Sequence, residues 1–170
     1  DAFIHGFDVF RDFLAIAVAE LSSIAERRTD RMLDTARSHG LPPFLTTDAG
    51  VNSGLMIAHY TQAAMAMDNQ RLAVPASTQS LPTSAMQEDH VSNGWAAARK
   101  LRRAVDNLRR ILAVELVCGA AAIDLRGPLQ PAAGTGAALT AVRTKVAGPG
   151  PDRWLSPDLR AAEQLLRDRS

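Results

Sequence analysis

The densest run of chemically useful side chains in this sequence is Gln87-Glu88-Asp89-His90, which places an amide, two carboxylates and an imidazole on four consecutive positions. It closes an irregular polar segment, Ser80 to His90, that leads into the longest periodic stretch of the chain. A carboxylate beside an imidazole can bind a cationic group or take part in proton transfer. An ordinary helix start accounts for the same residue types. Its unpaired N–H groups and partial positive charge favour Asp89 or Ser92 as an N-cap, with Glu88 alongside. On residue types alone both readings stand. The four histidines, His5, His39, His59 and His90, lack the spacing of a shared metal site, and no zinc or phosphate-loop motif occurs.

The elements that must position this segment read as helices. From about Asp8 to Leu33, Phe10, Phe13, Leu14, Ala17, Val18, Leu21, Ile24 and Ala25 recur at three- and four-residue intervals and predict one apolar helix face. Arg11, Asp12, Glu26, Arg27 and Asp30 fall on the remaining surface, and of Arg27 and Arg28 either one pairs across a helix contact or both are solvated. Gly40-Leu41-Pro42-Pro43 ends the helix. A second helix, Ser53 to Leu72, is apolar nearly all round at its start and is expected to be buried on several sides, with His59 and Tyr60 as its polar handles.

A loop follows to Pro82, and a third helix runs from about Val91 to Asp124. Its stripe is Trp95, Ala98, Leu101, Val105, Leu108, Leu112, Leu116, Gly119 and Ile123. About 33 residues make a helix of ~50 Å, longer than the ~40 Å span of a globule of this size. The stripe is therefore expected to find partners in sequence beyond the chain or in other subunits. Arg99, Lys100, Arg102, Arg103, Arg109 and Arg110 read as a solvated face with interhelix ion pairs. Past Arg126 come a Pro/Gly loop to Gly136, a short helix Ala137–Val146 and a last helix opened by Ser156-Pro157-Asp158. The expected class is all-α, a long antiparallel helical bundle over residues 1–126 carrying an active-site loop at 80–90, with loops and short helices over 127–170.

Lys and Arg (19) balance Asp and Glu (18), so net charge gives no reason to expect nucleic acid or an anionic membrane as partner. The single cysteine, Cys118, lies in an apolar run and reads as a buried, inert thiol. No apolar run approaches the ~18 residues of a membrane span, and a cytoplasmic location is expected. Asp1 is not an initiator methionine and the sequence enters a helix almost at once, which reads as a piece of a longer chain.

Several blocks in order resemble the C-terminal part of the histidine-type branch of the aromatic amino acid lyase and aminomutase family. They are Asp12-Phe13-Leu14-Ala15-Ile16-Ala17, Glu26-Arg27-Arg28, Leu41-Pro42-Pro43-Phe44-Leu45, Val51-Asn52-Ser53-Gly54, Leu81-Pro82-Thr83-Ser84, Gln87-Glu88-Asp89-His90-Val91-Ser92 and Ala97-Ala98-Arg99-Lys100-Leu101. Met86 stands where relatives usually carry Asn. The resemblance implies a helical homotetramer with an ammonia-lyase (fumarase/aspartase-like) fold. It implies a methylidene-imidazolone electrophile formed from an internal Ala-Ser-Gly. No Ala-Ser-Gly occurs here, so that group is expected from a missing N-terminal portion or subunit.

The resemblance assigns Glu88 to the active site, where histidine-type members carry glutamate and phenylalanine- or tyrosine-type members glutamine. It places Met56, Tyr60, Ser84, Gln87 and Phe3 in the substrate pocket and assigns no metal. The implied activity is non-oxidative deamination of L-histidine to urocanate and ammonia. The alternatives are a tyrosine or phenylalanine lyase or aminomutase of the same family and a non-catalytic, lyase-like helical assembly protein.

Overall fold

The computed structural model describes residues 2–168, with side chains described from Gly6 onward. Its elements are α1 (Ala2–Leu33), a 3-10 turn (Pro43–Leu45), α2 (Met56–Leu72), α3 (Gly94–Asp124), α4 (Ala133–Arg143) and α5 (Ser156–Arg167). Among the described residues there is no strand, only two isolated bridges. The fourth helix starts earlier than its composition suggests, at Ala133 instead of Ala137. The last starts at Ser156 without a side-chain cap, and Asp158 in its first turn instead takes the guanidinium of Arg153 at 2.9 Å.

The chain divides into two compact units, residues 1–23 with 65–108 and residues 24–64 with 109–170. The first is fastened by buried polar groups. Asn69 is fully buried, its Nδ2 donating to Ser22 Oγ (2.8 Å) and to the Ala104 carbonyl (3.0 Å), its Oδ1 accepting from Asn107 Nδ2 (3.0 Å). Asn107 also donates to Asp68 (2.9 Å). One side chain of α2 thus ties to both α1 and α3. Asp12 of α1 accepts from Lys100 Nζ at 2.8 Å and from the Ser77 N–H at 2.8 Å. Asp12 meeting residue 77 while Ser22 meets Asn69 makes α1 and α2 antiparallel. Asp8 meeting Ser92 while Asp12 meets Lys100 makes α1 and α3 parallel.

The second unit has an aliphatic core of Leu33, Leu41, Leu45, Leu55, Val114, Val117, Cys118, Val142 and Val146 among others. Arg28 makes a bidentate pair with Glu115 of α3 (2.5 and 2.9 Å), whereas Arg27 stays on its own helix with Glu26. Gln62 donates to the Ile111 carbonyl at 3.0 Å. Of the basic residues on α3, Lys100, Arg103 and Arg110 form interhelix pairs with Asp12, Asp68 and Glu163.

The faces of the two long helices differ from the periodicity reading. On α1 the buried stripe is small and polar: Asp8, Asp12, Ala15, Ala19, Ser22, Ala25, Glu26 and Thr29. Phe10, Phe13, Leu14, Leu21 and Ile24, expected in the core, are exposed, Phe13 to 66%. Small side chains let helices approach closely enough for hydrogen bonds between them, and bulky ones cannot occupy that stripe. On α3 the buried stripe is Ala97, Ala104, Asn107, Ile111, Val114 and Cys118, one position round from the one read in the sequence. The sequence stripe is exposed at Trp95 (78%) and Val105 and half-buried elsewhere. Both helices carry two apolar faces, and spacing alone does not say which one the chain uses itself.

Two outcomes follow. Asn69→Leu removes one bond each from Ser22 Oγ, the Ala104 carbonyl and Asn107 Nδ2 in a buried contact and should cost about 2–4 kcal/mol, read from urea unfolding. Unchanged stability would refute the network's role. Burial opposes ionisation of Asp12 and of Glu26. For Asp12, Lys100 and Ser77 outweigh it; for Glu26, Arg27 and His59 do so; both carboxyls therefore lie below the usual range.

Unfolded Asp and Glu titrate near ~3.9 and ~4.3, so the unfolded state takes up more protons just below those values. The stabilisation from both is complete above that window and is lost as pH falls through the folded values. Lys100→Met should cost roughly 3 kcal/mol at neutral pH by leaving Asp12 buried without its cation. The gap to the parent should close as pH falls below the usual carboxylate range and through the lowered folded value of Asp12. Unfolding curves that stay parallel across that range would contradict this.

Candidate active site

The polar segment is a latched loop whose tip carries the candidate residues Ser84, Gln87 and Glu88. At its base the Ser80 hydroxyl accepts the Val91 N–H (2.9 Å) and donates to the Val91 carbonyl (3.3 Å). Asn93 donates its amide to the Gln79 carbonyl, and Ser92 donates its hydroxyl to the buried carboxylate of Asp8. Gly94 starts α3 directly against Asp8, where a Cβ would strike that carboxylate. Further out, Thr83 and Glu88 exchange backbone hydrogen bonds of 2.9 and 3.3 Å, and the Gln87 N–H reaches the Ser84 carbonyl at 3.1 Å.

The turn so closed holds three consecutive non-glycine residues in the left-handed region, Ser84 (φ 53°), Ala85 (φ 53°) and Met86 (φ 70°). Each costs about 1–2 kcal/mol relative to the right-handed conformation. Backbone strain of this kind is held in place only by surrounding bonds and clusters at functional sites. Ser84, Gln87 and Glu88 are exposed together on this turn. The capping account of Glu88 and Asp89 fails on position. The Gly94 N–H is taken by Ser92 Oγ at 3.2 Å and the Ala97 N–H by the Asn93 carbonyl. Both acids lie ahead of these residues.

The second group sits on α2. Met56, its first residue, is half-buried, and Tyr60, one turn on, is exposed to 66%. The expectation that this helix is buried on several sides is corrected: Ile57, Tyr60 and Met67 face outward, and one stripe, Ala58, Gln62, Ala66 and Asn69, is buried. The reason is again the small-residue stripe, which lets one face pack closely while the bulkier residues stay outside. The start of α2 is held by the Asp152 carboxylate, which accepts the Ser53 and Gly54 N–H groups at 2.7 and 2.8 Å, while Asn52 Oδ1 accepts the Asp152 N–H at 2.9 Å. Gly54 has φ +56°, and a Cβ there would overlap the Phe44 carbonyl, so only glycine fits.

Beside Met56 and Tyr60, His59 Nε2 lies 2.7 Å from Glu26 Oε1, and Glu26 takes two further bonds from Arg27 (2.5 and 2.6 Å). Sequence reading missed this pair and Asp152. Glu26 was visible in its Glu-Arg-Arg block and His59 as a polar handle, but their pairing depends on helix register. Asp152 gave no local signal at all.

The structure therefore brings Ser84, Gln87 and Glu88 together on one turn, and Met56 and Tyr60 together on one helix turn, each set within its own unit. The side chain of Phe3 lies outside the described residues. No group of three or more His, Cys, Asp or Glu among the described residues can hold a metal. Burial pushes the Cys118 thiol up to about 12, which removes it as a nucleophile. No described helix is long and apolar enough to cross a membrane. An exposed carboxylate, amide and hydroxyl on a braced turn can bind an ammonium or imidazolium and exchange a proton with it.

The sequence matches the aromatic amino acid lyase family over residues 8–144. It is 66% identical over 160 residues to a histidine ammonia-lyase of Streptomyces avermitilis, covering 94% of this chain and 31% of that protein. It is 52% identical to that of Symbiobacterium thermophilum over 92% of this chain, again 31% of the relative. Among solved structures, a histidine ammonia-lyase from Trypanosoma cruzi superposes with a TM-score of 0.91 at 41% identity, over 95% of this chain and 32% of that one. A tyrosine aminomutase from Streptomyces globisporus superposes at 0.88 and 38% identity, over 95% and 31%. The chain spans about a third of the length of these relatives, and over that span its sequence and its fold make it a member of the aromatic amino acid lyase family.

Proposed function

We propose that this chain supplies part of the substrate pocket and the helical core of an ammonia-lyase acting on histidine, releasing ammonia and leaving urocanate. The observation that carries the reading is Glu88, a carboxylate held outward on a strained, doubly hydrogen-bonded turn. In this role Glu88 pairs with the imidazole or ammonium of the substrate and assists proton transfer. Ser84 and Gln87 hydrogen-bond its polar groups, and Met56, Tyr60 and Phe3 bound its side chain. Names of relatives at 46–66% identity agree with a histidine substrate.

The methylidene-imidazolone of this family supplies the electrophile that activates the substrate for loss of ammonia. It is built from Ala-Ser-Gly, which this sequence lacks, so it belongs to polypeptide beyond the chain. The residues here fit a place beside it: Ser84, Gln87 and Glu88 are exposed polar groups that the chain itself does not bury. The base that takes the β-proton is assigned to that other polypeptide too. Homotetrameric assembly accounts for the bulky apolar residues that α1 turns outward, Phe7, Phe10 and Phe13 among them.

A tyrosine or phenylalanine aminomutase is the second reading, because solved aminomutases superpose almost as closely as the lyase. The fold does not separate the two, whereas the carboxylate at position 88 favours histidine.

Peptide mapping of native material containing this chain should find an accompanying Ala-Ser-Gly peptide lacking water. Its absence would leave an assembly role without catalysis. In the active assembly, Glu88→Gln should lower kcat/KM for histidine by about 100-fold or more, followed through urocanate absorbance. Thermal stability should be unchanged, because the side chain is exposed. Full histidine activity in that variant would remove the role of Glu88, and product analysis on histidine, tyrosine and phenylalanine separates lyase from aminomutase.

Met86→Asn, a residue better suited to positive φ, should raise the unfolding free energy by about 0.5–1 kcal/mol and leave the histidine KM intact. A loss of stability would show that the turn is not strained at Met86.

A further inference from the structure

Within the second unit lies a cavity of about 630 Å³ that the proposed chemistry does not use. It is lined by Leu116, Gly119 and Ile123 of α3, Leu139 and Val142 of α4, residues of the 37–41 loop and Leu166 of α5. Its size and apolar lining are those of a small-molecule site.

Two features say what it takes. Gly119 sits in the interior of a 31-residue helix, where glycine is a poor choice, yet a Cβ there would meet nothing within 4 Å. Packing within the chain gives no reason for glycine at this point. It leaves the helix backbone open to whatever fills the space.

The second feature is the arginine in the lining: Arg28, Arg31, Arg37 and Arg126. Arg28 and Arg37 are committed to carboxylates, Glu115 for the first and Asp30 and Asp34 for the second. Arg31 and Arg126 are not: Arg31 donates only to the Arg37 carbonyl (3.3 Å) and Arg126 only to the Ser38 carbonyl (2.7 Å). Neither guanidinium has a carboxylate partner among the described residues. Glu115, the one acid on the lining, is taken by Arg28.

From the apolar cavity, the open glycine and the two guanidinium groups on its lining that lack a carboxylate partner, we infer a binding site for an amphipathic carboxylate. Its tail lies along α3 over Gly119, and its head is held between Arg31 and Arg126. This site is separate from the residues assigned to histidine chemistry, and its test does not depend on activity.

The probe is decanoate, with decyltrimethylammonium as the cation of matching tail, each titrated calorimetrically into the purified assembly that contains this chain. Decanoate should bind at one site at least tenfold more tightly than the cation. Gly119→Leu, which fills the chamber without meeting other atoms at its Cβ, should abolish that binding while helicity by circular dichroism is kept. Gly119→Ala should retain it. The surface double variant Arg31→Gln/Arg126→Gln should bring the two probes to equal affinity. Equal binding of both probes by the unsubstituted chain, or decanoate binding untouched by Gly119→Leu, overturns the proposal. So does a chain that binds no decanoate but changes its association state in Gly119→Leu, since the groove then receives polypeptide.

Discussion

The first unit depends on the fully buried amide of Asn69, which joins three helices through its two ends. A buried amide with an unmet hydrogen bond is costly, so α1 and α3 can slide past α2 only by breaking it. Apolar packing alone would be tolerant here, because the stripe that meets α2 on α1 is largely Ala, Ser and Thr, with little shape to fix a register. The same register brings Asp8 to Ser92 and Asp12 to Ser77 and Lys100, which are the anchors on either side of the polar loop. The strained turn at its tip is thus secured from a contact well inside the bundle.

The helices themselves were largely legible in the sequence, since Pro and Gly mark their ends and apolar spacing marks their bodies. The inertness of Cys118 also followed from its apolar neighbours, whereas spacing left open whether Arg27, Arg28 or neither pairs between helices, and the fold gives that role to Arg28. Which face turns inward did not follow. Phe13 and Asp12 are adjacent, and ordinary hydrophobic patterning buries the first and exposes the second, yet the reverse holds. A helix that buries its small and polar residues and turns its bulky ones outward defeats that rule, because periodicity records apolarity and not which face packs.

The candidate site was legible in a different way. Residue types at 87–90 allowed both chemistry and capping, and the geometry gives the capping duties to Ser92, one of the two candidates, and Asn93, not to Glu88 or Asp89. The left-handed run at Ser84, Ala85 and Met86 had no signature, as none is Gly or Asn. His59 with Glu26, and Asp152 with Ser53 and Gly54, join residues far apart in the chain, which only a folded register can pair.

That last pairing bears on the order of events during synthesis. The backbone groups that begin α2 are made early, but the carboxylate that receives them is 98 residues further along. Until Asp152 leaves the ribosome, Ser53 and Gly54 have only water for partners, and the helix bearing Met56, His59 and Tyr60 lacks its fixed beginning. The loop carrying Glu88 uses anchors no later than Lys100 and has all of them sooner. The nascent chain therefore finishes its two candidate surfaces in the reverse of their sequence order, and a ribosome that stops short of residue 152 releases a product with one of them complete and the other unlatched.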